Sequence, residues 1–129
     1  MNKLEQLDKI LNNLGKETVP IIVEGKRDKH ALLEFGIKNT ISLCGTLQSL
    51  VERTEANRVI ILTDYDRKGE LLCEKLSELF TNEGIHVDLE YRKQIKKFAN
   101  INEIEDITSE YRRIKEKTKG EITNGKDIH

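Results

Sequence analysis

The sequence predicts an α/β domain built on an open parallel sheet of about four strands, flanked by helices and extended by one further helix at each end. Three observations lead there. Short apolar runs of strand length alternate with stretches of helical apolar periodicity. The alternation repeats at intervals of about 20 residues, the spacing of strand–helix–strand crossovers in parallel sheets. Each of the first three strand-like runs ends in a break containing glycine or an acid, where the chain turns into the next helix.

Leu4, Leu7, Leu11 and Leu14 fall at steps of three and four and form one helical stripe, closed by Gly15. Val19–Val23 follows as a buried strand, with Pro20 expected at its start because proline has no amide for the ladder. Ala31, Leu32, Leu33 and Phe35 mark a helix before Gly36. Thr40–Cys44 reads as the second strand, Gly45-Thr46 as its break, and Leu47, Leu50 and Val51 as the next helix. Arg58–Thr63 is the strongest strand, and Leu72, Leu76, Leu79 and Phe80 form the apolar face of the helix after it. Ile85, Val87, Leu89 and Tyr91 alternate with polar residues, as in a strand with one wet face. Ile104, Ile107, Tyr111 and Ile114 carry a last helical stripe. The resulting division is a helix over residues 1–17, a central domain over 18–98, a C-terminal helix over 99–117 and a loose polar tail over 118–129. The two terminal helices have two partners open to them: each other, or a second copy of the chain in a homodimer.

Charged residues make up 35% and hydrophobic residues 36% of the 129, so a modest core lies under a highly charged surface. The net charge of −1 excludes a general electrostatic trap for polyanions, and nucleic-acid binding would need a local patch or bound cations. Cys44 and Cys73 lack the close pairing of a zinc site and are expected as reduced, buried thiols. The N-terminal stretch is charged throughout, unlike a signal peptide, and no apolar run has membrane-spanning length. A cytoplasmic protein without a membrane partner is the expectation.

Ligands of open parallel sheets bind at the carboxyl ends of the strands. Three loops lie there: Glu24–Asp28, Cys44–Thr46 and Asp64–Gly69. Glu24 and Asp64 each follow an apolar strand, at the margin of the core, where an isolated negative charge is costly. Carboxylates on neighbouring strand ends repel unless a cation joins them. Magnesium suits a few carboxylates completed by water and phosphate oxygens. The spacing of Asp64 and Asp66 can aim both at one side of the loop, and Gly69 permits close approach where the helix begins. Lys26, Arg67 and Lys68 lie within three positions of these acids, and Gly45-Thr46 opens a helix, so Lys26, Arg67, Gly45 and Thr46 are candidate phosphate contacts. Any one of these residues alone has an ordinary reading as turn former, cap or surface charge. The specificity lies in Glu24 combined with the Asp64/Asp66 pair.

The segments Ile22–Asp28 and Ile60–Glu70 resemble the two motifs of the Toprim domain, a Rossmann-like fold found in topoisomerases, bacterial-type primases and certain nucleases. The resemblance is closest to small stand-alone Toprim proteins of archaeal type. It implies that Glu24 acts as general acid or base and as a metal ligand, and that Asp64 and Asp66 bind magnesium, as one or two ions with manganese as a substitute. It also implies a role for the glycine between the motifs, matched by Gly45. Many topoisomerases carry a third acid two places after the second aspartate, where this chain has Lys68. The activity implied is magnesium-dependent phosphodiester chemistry on RNA or DNA, with a nuclease as the first reading; the alternative is a non-catalytic, metal-dependent module that binds nucleic acid or ribonucleoprotein. Glu103, Glu105 and Asp106 read as acids favouring a helix start, one of which can reach the metal site. Arg92, Lys93, Lys96 and Lys97 read as a solvated charged loop, with phosphate contact as the second reading. Tyr65 lies near the acids without the separate domain from which topoisomerases of this family supply their nucleophile.

Overall fold

A computed structural model describes the backbone of residues 1–127 and the side chains of residues 1–120. Helix α1 (Lys3–Gly15) precedes strand β1 (Ile21–Val23), and α2 (Lys26–Leu33) leads to β2 (Thr40–Ser42). Then come α3 (Leu47–Arg53), β3 (Arg58–Ile61), α4 (Arg67–Asn82), β4 (His86–Asp88) and α5 (Glu90–Phe98). A single 3-10 turn at Ile104–Asp106 runs into α6 (Ile107–Asp127). The strands form one sheet in the order β2-β1-β3-β4, every pair parallel. Ile22 of β1 sits opposite both Ile41 and Ile61, so β1 and β3 are the central strands. The four-stranded parallel sheet with helices on both faces is the architecture expected from the alternating pattern.

Side chains of successive strand residues point to opposite faces, which explains why the central strands are apolar throughout. Ile21, Val23, Ile60 and Leu62 pack with Leu7, Leu11 and Leu14 of α1, Leu32 of α2, Ile95 of α5 and Ile107 and Ile114 of α6. Ile22, Val59 and Ile61 pack on the other face with Leu50 and Val51 of α3 and Cys73, Leu76 and Phe80 of α4. The terminal helices meet within the chain, where the Tyr111 hydroxyl donates to Asp8 Oδ1 at 2.6 Å. Among the described residues no helix is long and apolar enough to cross a membrane.

Three details differ from the sequence expectation. The alternation over residues 85–91 yields only the short β4, and residues 90–98 form α5. Asp88 Oδ1 accepts from the Glu90 amide at 2.9 Å, which turns the chain into the helix, and Tyr91, Ile95 and Phe98 then face the core at helical spacing. The expected loose tail from residue 118 is helical as far as Asp127, and residues 128–129 lie outside the described residues. A formed helix extends at little cost per residue, whereas starting one is unfavourable. Cys73 is buried as expected, but Cys44 is exposed.

Candidate metal centre at the carboxyl ends of β1 and β3

Glu24 follows β1 directly, and Asp64 follows the apolar end of β3 on the adjacent strand. The Asp64 amide donates to Glu24 Oε2 at 2.7 Å, tying the two strand ends together. The Ile104 amide donates to Asp64 Oδ1 at 2.8 Å, which brings the 3-10 turn onto the same edge. Asp66 is the N-cap of α4, its Oδ1 accepting from the Gly69 amide at 2.7 Å. Each of the three carboxylates thus commits one oxygen to a backbone amide and keeps a second as a hard donor.

These three acids line a single cleft of about 420 Å3, together with Asp28, Glu103 and Glu105 and the cations Lys26, Arg27 and Lys68. Six carboxylates against three cations leave an excess of negative charge, the condition a divalent ion relieves. Burial raises the proton affinity of Glu24 above the usual carboxylate range, and the neighbouring Asp64 and Asp66 charges push the same way, against the Asp64 amide. Asp28, nearly buried in the first turn of α2, is raised by burial, with contributions from Asp64 and Glu105, although it accepts from the Gly25 amide at 3.0 Å. The donor set fits magnesium or manganese: hard oxygens, no thiol or imidazole, and room for water. Glu103, Glu105 and Asp106 each offer an oxygen within 4.8 Å of the others. Among the described residues, Glu24, Asp64 and Asp66 line the same cleft without closing to that distance.

The loop between β3 and α4 is held from three sides. A Cβ built on Gly69 would fall 2.0 Å from the Asp64 carbonyl oxygen, so glycine is the residue that fits there. The Thr63 hydroxyl donates to the Gly69 carbonyl at 2.9 Å. Arg92, buried on α5, donates through Nε to the Thr63 carbonyl at 3.0 Å and through Nη2 to the Asp64 carbonyl and to Glu70 Oε1. Its guanidinium lies 4.7 Å from the centre of the Tyr65 ring, and Lys96 Nζ lies 5.1 Å from it. The Tyr65 hydroxyl donates to the Arg92 carbonyl at 2.7 Å, and burial holds it protonated far above the usual phenol range. Tyr65 is scaffolding.

Arg92 is the residue sequence reasoning misplaced. Adjacent basic residues suggested a solvated loop, but α5 separates them by face and turns Arg92 inward. The helical spacing of Tyr91, Ile95 and Phe98 was the signal available. Of the expected phosphate contacts, Lys26 reaches the cleft and Arg67 does not; Lys68 stands there, while Arg67 lines a separate hollow across α4. Gly45 and Thr46 also lie outside the cleft lining. Gly45 adopts φ +74, which favours glycine, and Thr46 caps α3 by accepting from the Ser49 amide at 3.1 Å. Glu103 and Glu105 join the acids because the 3-10 turn packs against α2 and Asp64, a contact across 40 residues that local pattern does not reveal.

A parallel sheet with carboxylates gathered at the ends of its two central strands defines an α/β domain with an acidic cleft at the carboxyl edge of its sheet. Residues 19–101 match the Toprim domain, and the chain belongs to that family. It is 38% identical over 117 residues to a UPF0292 protein of Methanosarcina barkeri, covering 84% of this chain and 80% of that one. It is 34% identical over 119 residues to a UPF0292 protein of Pyrococcus horikoshii, covering 88% and 90% respectively. A solved structure of a protein from Aquifex aeolicus superposes with a TM-score of 0.68 at 40% identity, covering 80% of this chain and 96% of that one.

Proposed function

We propose that this protein carries out magnesium-dependent phosphodiester chemistry on nucleic acid, as a nuclease or processing enzyme. The observation that carries the reading is the hydrogen bond from the Asp64 amide to Glu24, which sets the acid–base candidate and the aspartate loop side by side at one cleft. Asp64 and Asp66 would hold the ion, with Glu24 as acid–base candidate and further ligand. When bound, the ion supplies Lewis-acid stabilisation of negative charge on a phosphate. Glu24, partly buried and raised in proton affinity, holds or releases a proton at its carboxylate. Lys26, Arg27 and Lys68 offset the charge of the flanking phosphates. Arg92 touches no substrate in this scheme; it fixes the main chain between Thr63 and Asp64 and so positions the aspartate loop.

Purified protein with magnesium is expected to cut a member of a panel of structured and unstructured RNA and DNA. Glu24→Gln should lower that rate by roughly a hundredfold or more, the usual scale for losing a general acid or base. Asp64→Asn should abolish Mn2+ binding in calorimetry while leaving the thermal midpoint without metal near that of the parent. Absence of any cleavage sensitive to Glu24→Gln defeats the enzymatic reading. Lys68, at the place of a further acid, favours a second reading as a metal-dependent binding module; specific RNA binding without turnover, present with magnesium and lost in EDTA, supports it.

A further inference from the structure

Beside the cleft, the start of α4 faces Leu47 of α3 across a hollow of about 570 Å3 with a floor of Leu47, Leu71 and Leu72 and a margin of Arg67, Lys68 and Lys75. Leu71 is 57% exposed, among the most exposed large apolar side chains of the described residues. Among the described residues no carboxylate lines the hollow, and Lys75 makes a loose 4.0 Å pair with Glu78, both exposed. Lys68 lines the hollow and the acidic cleft alike, so the two meet at this residue.

We infer that this shelf binds an unpaired segment of nucleic acid leading to or from the phosphate in the cleft. Three cations beside an apolar floor complement a polymer that carries regular negative charge and exposed base faces. A duplex offers such a floor sugar, phosphate and base edges but no base face, because its base faces are stacked inside, and therefore gains little from the leucines. The shared Lys68 supplies the path: a strand with one phosphate at Glu24 and Asp64 passes this ammonium and continues over Leu71, between Arg67 and Lys75. This inference names the substrate class of the cleft and rests on the nucleic-acid reading above. It also gives Arg67 a role that its position outside the cleft would otherwise leave open.

The test measures binding of a short labelled oligonucleotide, single-stranded and as the matching duplex, by fluorescence anisotropy with magnesium and again with EDTA. The single strand is expected to bind about tenfold or more tightly than the duplex, and the preference should persist in EDTA because the shelf needs no ion. Leu71→Ser and Leu71→Glu should each weaken single-strand binding by about fivefold or more with an unchanged thermal midpoint, and Leu71→Ser, which adds no charge, should leave duplex binding unchanged. Arg67→Gln with Lys75→Gln should lower the salt dependence of single-strand binding by about 1.4 in logarithmic slope, near 0.7 for each phosphate no longer neutralised. Equal affinity for strand and duplex, or parent-like binding by both Leu71 variants, overturns the proposal. So does preferential, Leu71-dependent capture of an acidic amphipathic peptide, which assigns the shelf to a protein partner. Mn2+ calorimetry on the parent separates the two readings, since loss of metal binding with retained strand preference removes the cleft chemistry alone.

Discussion

Two groups of carboxylates lie on this domain, and they are treated in opposite ways. At the start of β3, Arg58 donates to Glu17 Oε2 and to Asp88 Oδ2, each at 2.8 Å, and the Tyr91 hydroxyl donates to Glu17 at the same distance. There the guanidinium holds Glu17 below the usual carboxylate range, and burial helps push Tyr91 up to about 12. At the far ends of β1 and β3, Glu24 and Asp28 are raised, chiefly by burial, and they accept hydrogen bonds from backbone amides. Both groups contain acids drawn from distant parts of the chain. The first is completed by an arginine and serves the fold; the second is assembled by main-chain contacts and keeps its excess charge. A protein that needed only stability would have paired the second group as it pairs the first.

The sharpest way to probe the contrast is to disturb the main-chain scaffold of the cleft. Gly69→Ala places a methyl group where the Asp64 carbonyl now sits, so either the loop or the start of α4 must move. The expected cost is about 3 kcal/mol, the upper range for overpacking a site closed by backbone. Mn2+ affinity should fall together with it, because the same carbonyl belongs to a candidate ligand. Urea denaturation and Mn2+ titration on one preparation read both. Native stability in this variant would mean that the loop relaxes freely, and the rigid half of the comparison would be lost.

A smaller effect of definite sign is expected at the paired end. Glu17→Gln removes one charge from Arg58 and should destabilise by about 1 kcal/mol at neutral pH, given that the pair is partly exposed. Because the folded pKa of Glu17 is lowered, its stabilisation is fully present above the unfolded value near 4.3 and is lost as pH falls through the folded value. The parent and the variant should therefore converge in stability on acidification below about pH 4. A difference that stayed constant with pH would show that packing, and not charge, holds this corner together.

The sequence made some of this legible and hid the rest for physical reasons. Apolar runs such as Arg58–Thr63 declare a strand because both faces of a central parallel strand are covered, and the acids after them stand out against that run. Gly69 could be read as permitting close approach, although the degree of closeness required the neighbouring carbonyl. Helix α5 escaped because its inward positions, Tyr91, Ile95 and Phe98, are diluted by Arg92, Lys93, Lys96 and Lys97, whose separation onto different faces appears only once the chain is helical. The arrival of Glu103 and Glu105 at the cleft depends on the packing of the 3-10 turn against α2, a tertiary fact with no local signature.

Asp28→Asn supplies the mirror image of the Glu17 experiment. Asparagine keeps an oxygen to accept from the Gly25 amide but removes a charge that burial, Asp64 and Glu105 all disfavour. Without metal the variant should gain about 0.5 kcal/mol at neutral pH, the scale of a screened like-charge contact. Since the folded pKa of Asp28 is raised, its penalty is full above that value and vanishes as pH falls below the unfolded one near 3.9, so this gain too should fade in acid. Saturating Mn2+ should shrink it, because a cation in the cleft already offsets the charge. Two carboxylate-to-amide changes of opposite sign, both abolished by acid, would establish that one edge of the sheet is neutralised from within and the other is open to an ion. Loss of stability in Asp28→Asn would instead make its charge part of the α2 cap, and the distinction between the two edges would no longer stand on electrostatics.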